Sequence, residues 1–349
     1  MSPRKMIYPV FLPQAGCPFQ CIYCNQQMVV SHDHRKTDIL EIVQAGLRAY
    51  SNQIVRCGGP GEIAFFGGTF SALPPALIES ILAAASIHVE RGIFTGIRFS
   101  TRPDCMGDEV IDLLSKYPVR TVELGVQSLS DHVLQRSRRG YCVKSVRDSA
   151  KRVRNAGWDL GIQLMAGLPG DTPDTFAESM HLAMELAPDF FRIYPTLVLE
   201  GTALADCYRK GSYAPLSLDE AVTWVAAAYA SALGAGIPVI RMGLHSDPSL
   251  ERPGVILAGP YHPAFGHLVI SRWWRDRVDR EFASFAEITG TETILRVPHG
   301  RLSEVIGHER SNLHHWKSRW DISVKVIGDV SLAGTEMLVE NKPRALMSF

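Results

Sequence analysis

The segment Gly16-Cys17-Pro18-Phe19-Gln20-Cys21-Ile22-Tyr23-Cys24-Asn25 decides both fold and chemistry, because it places three thiols within eight residues. It follows an apolar run, Met6–Leu12, that predicts a β-strand, and its Gly and Pro predict a loop. In such a loop the three sulfurs can converge on one centre, and thiolates select zinc or iron–sulfur clusters. A structural zinc site needs four ligands, whereas three thiolates on a four-iron cluster leave one iron open to a small molecule. Zinc completed by a distant His, and three unrelated loop thiols, are the alternatives.

Beyond this loop the chain alternates between short β-rich runs and longer helical patterns. At this spacing the alternation predicts right-handed βαβ units and a parallel sheet, hence an α/β fold of the partial (β/α) TIM-like barrel type. The expected strands after Met6–Leu12 are Glu62–Phe66, Ile97–Ser100, Thr121–Val126, Leu160–Met165, Phe190–Pro195 and Pro238–Met242, and the expected helices lie near Asp38–Tyr50, Pro75–Arg91, Asp108–Lys116, Lys144–Ala156, Pro173–Leu186 and Leu218–Ala232.

The pattern divides the chain into three parts. We expect the barrel to occupy residues 1–245, an irregular connecting or capping segment 246–290, and a small C-terminal α/β domain 291–349. The charge-free run Ala221–Ile240 is Ala-rich and broken by Gly and Pro. It therefore predicts a buried helix followed by a strand rather than a membrane span.

The amino-acid composition limits the classes of protein to which the chain can belong. The 349 residues include 36 Lys+Arg and 36 Asp+Glu, so the chain has no net charge with His neutral. The 46% of hydrophobic residues excludes a disordered chain, and the zero net charge disfavours nucleic-acid binding by bulk charge alone. The seven cysteines, an odd number, come without an export signal, and we therefore expect a reducing, cytoplasmic compartment.

Further motifs follow the expected strands at their carboxyl ends, where a barrel gathers its chemistry. With Tyr23 before the last cysteine, the Cys-x3-Cys-x2-Cys loop resembles the signature of the radical S-adenosylmethionine (SAM) enzymes. The other motifs resemble the branch shared by oxygen-independent coproporphyrinogen oxidases and the catalytic subunit of Elongator, and are closer to the latter. They are Phe65-Phe66-Gly67-Gly68-Thr69, Thr101-Arg102-Pro103-Asp104, Glu123-Leu124-Gly125-Val126-Gln127-Ser128, Gln163-Leu164-Met165-Ala166-Gly167-Leu168-Pro169-Gly170 and Arg192-Ile193-Tyr194-Pro195-Thr196.

The resemblance implies a [4Fe-4S] cluster and SAM as cofactors, and reductive cleavage of SAM to a 5′-deoxyadenosyl radical that abstracts hydrogen from a substrate. It implies that Cys17, Cys21 and Cys24 hold three irons. The implied SAM contacts are Tyr23, Gly67, Gly68, Thr69, Ser100, Gln127, Arg139, Gln163 and Thr196. Ser100 departs from the family, which usually has Glu there. For the two glutamines, a satisfied amide in the barrel interior is an equal alternative.

Four features keep two interpretations each. Glu123, the acidic residue of an apolar strand, either orients SAM or a substrate cation, or is an outward-facing or ion-paired residue of the strand. The basic run Arg136–Arg154 is either a solvated, charged helix surface or a track for RNA phosphates. The Trp–Arg segment Ser271–Arg280 either stacks on bases or caps the barrel. The tail segment Glu304–Leu313 resembles a KH-type RNA-binding unit, whose Gly-x-x-Gly loop clamps phosphates, or is a small α/β cap. Arg310 occupies the second Gly position, which compromises close backbone approach.

The sequence predicts a radical SAM enzyme whose first expected substrate is an RNA base in tRNA. A tetrapyrrole or another small metabolite is the alternative, and a non-catalytic metal- or cluster-containing RNA-binding protein is the alternative of another class. Flavodoxin or ferredoxin is implied as the low-potential electron donor. No acetyltransferase domain like that of Elongator is recognisable, and no catalytic residue is singled out.

Overall fold

The fold was analysed in a computed structural model that describes residues 6–12, 16–25, 38–57, 59–244, 250–284 and 292–342. Seven strands form one parallel sheet in the order β1-β2-β3-β4-β5-β6-β8, which curls into a half-barrel. All seven expected strands are present, and β3 and β4 are longer than expected. The strands of this part of the chain are β1 (Met6–Phe11), β2 (Gly61–Phe66), β3 (Phe94–Thr101), β4 (Val119–Gln127), β5 (Asp159–Ala166), β6 (Phe190–Pro195), β7 (Val198–Leu199), β8 (Val239–Met242) and β9 (Ile256–Ala258). The short strands β7 and β9 pair separately.

Helices connect successive strands, as the alternating pattern predicts. They are α1 (Ile39–Cys57), α2 (Pro75–Glu90), α3 (Asp108–Leu114), α4 (Asp131–Arg136), α5 (Val143–Asn155), α6 (Pro173–Glu185), α7 (Ala203–Arg209) and α8 (Leu218–Gly234). The starts of α6 and α8 are fixed by capping boxes, in which the hydroxyls of Thr172 and Ser217 accept backbone N–H groups of the first turn. The run Ala221–Ile240 forms part of α8 and the start of β8, as expected. None of the described helices is long and apolar enough to cross a membrane.

The two faces of the sheet differ in chemistry. One face carries fully buried apolar side chains, such as Ile63, Phe99 and Leu164, which form the core with the helices. The alternate residues of the strands carry the polar side chains, which leave the sheet on the other, concave face. Strand register therefore decides which polar groups meet there.

One row of Cα partners crosses four strands of the sheet. It runs from Gly125 on β4 to Gln163 on β5, Arg192 on β6 and Arg241 on β8. Because paired residues of parallel strands leave the sheet on the same side, these residues share the concave face. The row thus places one amide and two arginine side chains on the same face of neighbouring strands.

The chain divides into two compact units, 1–221 with 231–261, and 222–230 with 262–349. The second unit contains a mixed three-stranded sheet in the order β11-β10-β12, with β10 parallel to β11 and antiparallel to β12. Its elements after residue 262 are α9 (Phe265–Ser284), β10 (Glu292–Pro298), α10 (Leu302–Ile306), α11 (Ser311–Trp320), β11 (Ser323–Asp329) and β12 (Leu338–Lys342).

The expectation of an irregular segment over 246–290 is wrong for residues 265–284, which form helix α9. Phe265, Val269 and Trp273 recur every four residues and are buried, as in an amphipathic helix. The arginines between these positions made the helical period hard to recognise in the sequence. Residues 246–249 and 285–290 of that segment lie outside the described residues.

Candidate active site

The three-cysteine loop lies against the Gly-Gly-Thr turn after β2. The Sγ atom of Cys17 is 3.3 Å from the Oγ1 atom of Thr69. Gly16 has a φ of +78°, and a Cβ atom there would stand 2.4 Å from the carbonyl oxygen of Thr69, so only glycine permits this approach. Two motifs that are 52 residues apart in sequence thus form one structure.

The three thiols differ in exposure: Cys17 is exposed, Cys24 is intermediate and Cys21 is buried. Across the described ranges of the chain, no three His, Cys, Asp or Glu side chains are gathered as a metal-binding group. The structure thus places the three cysteines on one loop, and of the three only Cys21 is buried.

Two buried guanidinium groups face the sulfur of Cys21. Nη1 of Arg139 donates to this Sγ atom at 3.0 Å, and Nη1 of Arg102 approaches it at 3.8 Å. Arg139 and Arg102 are only 5% and 4% exposed, so little water competes for these donors. Two buried cations thus stand beside the sulfur of Cys21.

Arg139 also connects the cysteine loop to the end of β4. Its Nη1 donates to the Tyr23 hydroxyl at 3.1 Å, its Nε donates to the Tyr141 hydroxyl at 2.9 Å, and its Nη2 donates to the carbonyl oxygen of Gly125. Burial raises the pKa of Tyr23 well above its ordinary value, although Arg139 acts in the opposite direction. Tyr23 therefore stays a neutral acceptor and donor at physiological pH.

Arg102 has a structural role that sequence reasoning missed. Its Nε and Nη2 atoms each donate to one carboxylate oxygen of Asp104 at 2.9 Å, and Nη2 also donates to the carbonyl oxygen of Arg139. Its guanidinium group lies 5.0 Å from the ring centroid of Phe19 and 5.2 Å from that of Tyr141. The signal was present in the sequence, since Arg102 and Asp104 belong to a motif after the third strand.

The Gly-Gly-Thr turn has little room for side chains. Gly67 has a φ of +99°, and a Cβ atom there would stand 2.7 Å from the carbonyl oxygen of Leu12. Gly68 and Ser100 both line a small depression at the ends of β2 and β3. The structure thus brings Ser100 to the turn, as a serine in place of the family's usual glutamate.

The two glutamines meet at the ends of β4 and β5. Nε2 of Gln163 donates to Oε1 of Gln127 at 3.2 Å. Gln127 has a φ of +69°, where the β4–β5 register shifts, and a non-glycine residue there costs about 1–3 kcal/mol. Such strain is typical of functional sites. Thr196 is buried, and its hydroxyl donates to the carbonyl oxygen of Ala166 at 2.8 Å.

Two family models match the chain, and together they cover most of its length. The model of the radical SAM superfamily matches residues 11–183, and that of the radical SAM C-terminal domain matches residues 188–275. The chain belongs to the radical SAM superfamily. It is therefore a radical SAM enzyme, with a [4Fe-4S] cluster and SAM as cofactors. The donor set of the cysteine loop, three thiols within eight residues, has the chemistry that an iron–sulfur cluster requires.

Individual relatives resemble only part of this radical SAM chain. It is 28% identical over 230 residues to a tRNA uridine(34) acetyltransferase of Dehalococcoides mccartyi, covering 57% of this chain and 50% of that protein. It is 31% identical over 186 residues to human Elongator complex protein 3, covering 47% of this chain and 34% of that protein. The chain spans half or less of the length of these two relatives.

A solved structure supports the fold. The archaeal Elp3 of Methanocaldococcus infernus, with an N-terminal deletion, superposes with a TM-score of 0.58 at 21% identity. The match covers 79% of this chain and 63% of that chain. At this identity the likeness establishes a shared fold.

Glu123 lies in a buried ion network, not alone in an apolar strand. Its carboxylate oxygens lie 2.5 Å from Nε of Arg98 and 2.7 Å from Nε of Arg192. Nη1 of Arg98 also lies 3.2 Å from an oxygen of Glu62. Of the two interpretations of Glu123, the structure therefore supports the ion-paired residue. The network was missed because its members are 25 to 69 residues apart in sequence.

Two candidate RNA contacts are not supported by the structure. Trp273 and Trp274 are buried and pack edge-to-face at 4.8 Å, so they do not offer a face for stacking on bases. On α5 and its flanks, four basic residues have acidic partners: Lys144, Arg147, Arg152 and Arg154 pair with Asp148, Glu185, Asp108 and Asp189. Within the described residues Arg136, Arg138 and Lys151 have no ion-pair partner, and the paired residues form an ordinary charged surface.

In the tail, strand β10 is followed by helix α10, a loop, helix α11 and strand β11. The loop Gly307–Arg310 is exposed after its first residue. Arg310 adopts a left-handed φ of +62°, and Glu309 one of +50°. The substitution of glycine by Arg310 was expected to compromise this loop, yet the backbone adopts a conformation that normally favours glycine.

Proposed function

We propose that this enzyme uses Cys17, Cys21 and Cys24 to ligate three irons of the [4Fe-4S] cluster. The observation that carries the proposal is the contact of the cysteine loop with the Gly-Gly-Thr turn, because the family motifs for the cluster and for the methionine moiety adjoin there. When bound, the cluster supplies the electron that cleaves SAM and so generates a 5′-deoxyadenosyl radical. The protein's own residues hold, orient and shield the reactants.

In this proposal the residues around the loop position SAM. Gly67 and Gly68 leave the backbone accessible to the methionine amino group, and Thr69 adds a hydroxyl. The guanidinium group of Arg139, which is hydrogen-bonded to Cys21 and Tyr23, pairs with the methionine carboxylate. Ser100, Gln127, Gln163 and Thr196 offer hydroxyl and amide groups to the rest of SAM, and Tyr23 lies near the adenine.

We propose an RNA base, in tRNA, as the substrate. The similarity to a tRNA uridine(34) acetyltransferase and the KH-like order of elements support this choice. The strained, exposed backbone at Glu309 and Arg310 supports it further, because such strain is retained where the loop has a task. A flavodoxin or ferredoxin as electron donor, and the cytoplasm as compartment, complete the proposal.

Anaerobic reconstitution with iron and sulfide, followed by dithionite and SAM, tests the catalytic part. We expect 5′-deoxyadenosine from the wild type and from Cys142→Ala, a control at an exposed thiol outside the loop. We expect none from Cys21→Ala. A cluster-loaded protein that does not cleave SAM would instead support a non-catalytic RNA-binding protein.

Salt-dependent binding of tRNA tests the substrate. We expect binding that weakens steeply with salt, and a salt slope reduced by about one in Arg310→Gln, since each phosphate contact releases about one counterion. Arg48→Gln, an exposed arginine on α1, is the matched control and should leave the slope unchanged. Absence of tRNA binding at low salt would favour a tetrapyrrole or another small metabolite.

A further inference from the structure

On the concave face of the sheet, β6 and β8 each carry an arginine, Arg192 and Arg241. The other charged side chains of this face are Glu62 on β2, Arg98 on β3, Glu123 on β4 and Asp159 on β5. Arg98 binds the carboxylates of Glu62 and Glu123, and Arg192 binds the second oxygen of Glu123. These two glutamates are therefore used by two of the three guanidinium groups.

Arg241 is the third guanidinium group of this face, and neither glutamate pairs with it. It is half-buried and, within the described part of the chain, makes no hydrogen bond or ion pair. Asp159, the third carboxylate on this face, is the Cα partner of Thr121. It stands four residues before Gln163 on β5, about 13 Å along the strand. It is therefore too far away to neutralise Arg241.

Arg192 and Arg241 are Cα partners across β6 and β8, so their backbones lie about 4.8 Å apart. Their side chains leave the sheet on the same face, and of the two only Arg192 has a carboxylate partner among the described residues. An oxyanion between them would accept hydrogen bonds from both planar donor groups, which is the geometry that arginine offers to phosphate and carboxylate. The aromatic ring of Phe66, 5.3 Å from the Arg192 guanidinium, closes one side of this group.

The position of the pair indicates what the oxyanion belongs to. Gln163 precedes Arg192 and Arg241 in the same row of Cα partners, and it bonds to Gln127. These glutamines are the proposed SAM contacts, and the arginines continue the same row beyond them. An oxyanion held by the arginines would therefore belong to a molecule next to SAM.

We propose that Arg192 and Arg241 bind an oxyanion of the substrate, a phosphate or a carboxylate, and so orient it beside SAM. This inference rests on the proposed function, because it assigns the chemistry of the substrate at the same site. Arg192 is held by Glu123 and acts as the fixed half of the pair. Arg241, without such a partner, is the half whose charge is available to the ligand.

The test is binding of simple oxyanions to the reconstituted enzyme without reductant, so that SAM is not cleaved. The probes are inorganic phosphate and succinate, each titrated at matched ionic strength with chloride as reference, with the thermal unfolding midpoint as readout. We expect at least one probe to raise the midpoint saturably. We expect Arg241→Gln to weaken that binding by about tenfold or more, since one of two charge-assisted donors is lost.

Arg120→Gln is the matched control, because Arg120 is an exposed arginine on β4 that lies outside the row. It should bind the probes as the wild type does. Preference for phosphate would indicate a nucleotide-type source of the oxyanion, and preference for succinate a carboxylate metabolite.

Binding of neither probe, or unchanged binding in Arg241→Gln, would overturn the inference. Because the assay does not require SAM cleavage, a failure here with normal 5′-deoxyadenosine production leaves the proposed function standing. Loss of SAM cleavage in the wild type would reject the proposed function whatever the oxyanion result.

Discussion

Replacing the buried carboxylate of Glu123 should destabilise the barrel more than any surface change of the same kind. In Glu123→Gln the side chain keeps its size, but Arg98 and Arg192 lose the charge they share. The carboxylate is 4% exposed, so water does not replace it. Each pair, at about 4 Å between charge centres, is worth roughly 4 kcal/mol in a protein-like dielectric. Burying a neutral amide costs less desolvation free energy than burying a carboxylate, and this offsets part of the lost attraction. Breaking a buried pair typically costs about 3–5 kcal/mol.

We therefore expect the free energy of unfolding to fall by about 3–5 kcal/mol, measured by urea denaturation with far-ultraviolet circular dichroism. Glu79→Gln, an exposed glutamate on α2, is the control and should change it by no more than about 0.5 kcal/mol. A loss below about 1 kcal/mol in Glu123→Gln, with unchanged slope, would refute the reasoning that this network stabilises the sheet.

Two further experiments have defined outcomes. Gly67→Ala introduces a Cβ atom 2.7 Å from the carbonyl oxygen of Leu12, at a φ of +99°. We therefore expect the affinity for SAM, measured by calorimetry, to fall about tenfold or more. The control Gly107→Ala, which has open space around its Cβ position, should bind SAM as the wild type does. Burial raises the pKa of Cys105 to about 11, whereas hydrogen bonds from the first turn of α5 lower the pKa of Cys142. Since the thiolate is the nucleophile, iodoacetamide at pH 8 should modify Cys142 before Cys105, as followed by mass spectrometry, and faster modification of Cys105 would contradict this assignment.

The barrel was predictable because its signals are local. Each strand is a short apolar run followed by a turn and a helical period, and Pro173 and Ser217 mark helix starts by rules that involve only neighbouring residues. The placement of the motifs was predictable as well, because carboxyl ends of parallel strands share one edge.

What could not be predicted depends on long-range packing. Helix α9 was missed because its buried face alternates with arginines, which dilute the apolar period. The partners of Glu123 were missed because register, not sequence spacing, brings Arg98 and Arg192 to it. The left-handed backbone at Arg310 contradicts the residue's own preference, so only the surrounding fold imposes it.

The most direct test of the central claim is the metal content of anaerobically purified and reconstituted protein, together with its electron paramagnetic resonance. We expect about four irons and four sulfides per chain, and a reduced-cluster signal that changes when SAM is added, because one iron lacks a protein ligand. Cys21→Ala should lose that signal. One zinc per chain without iron or sulfide, or a cluster signal that SAM leaves unchanged, would contradict the account.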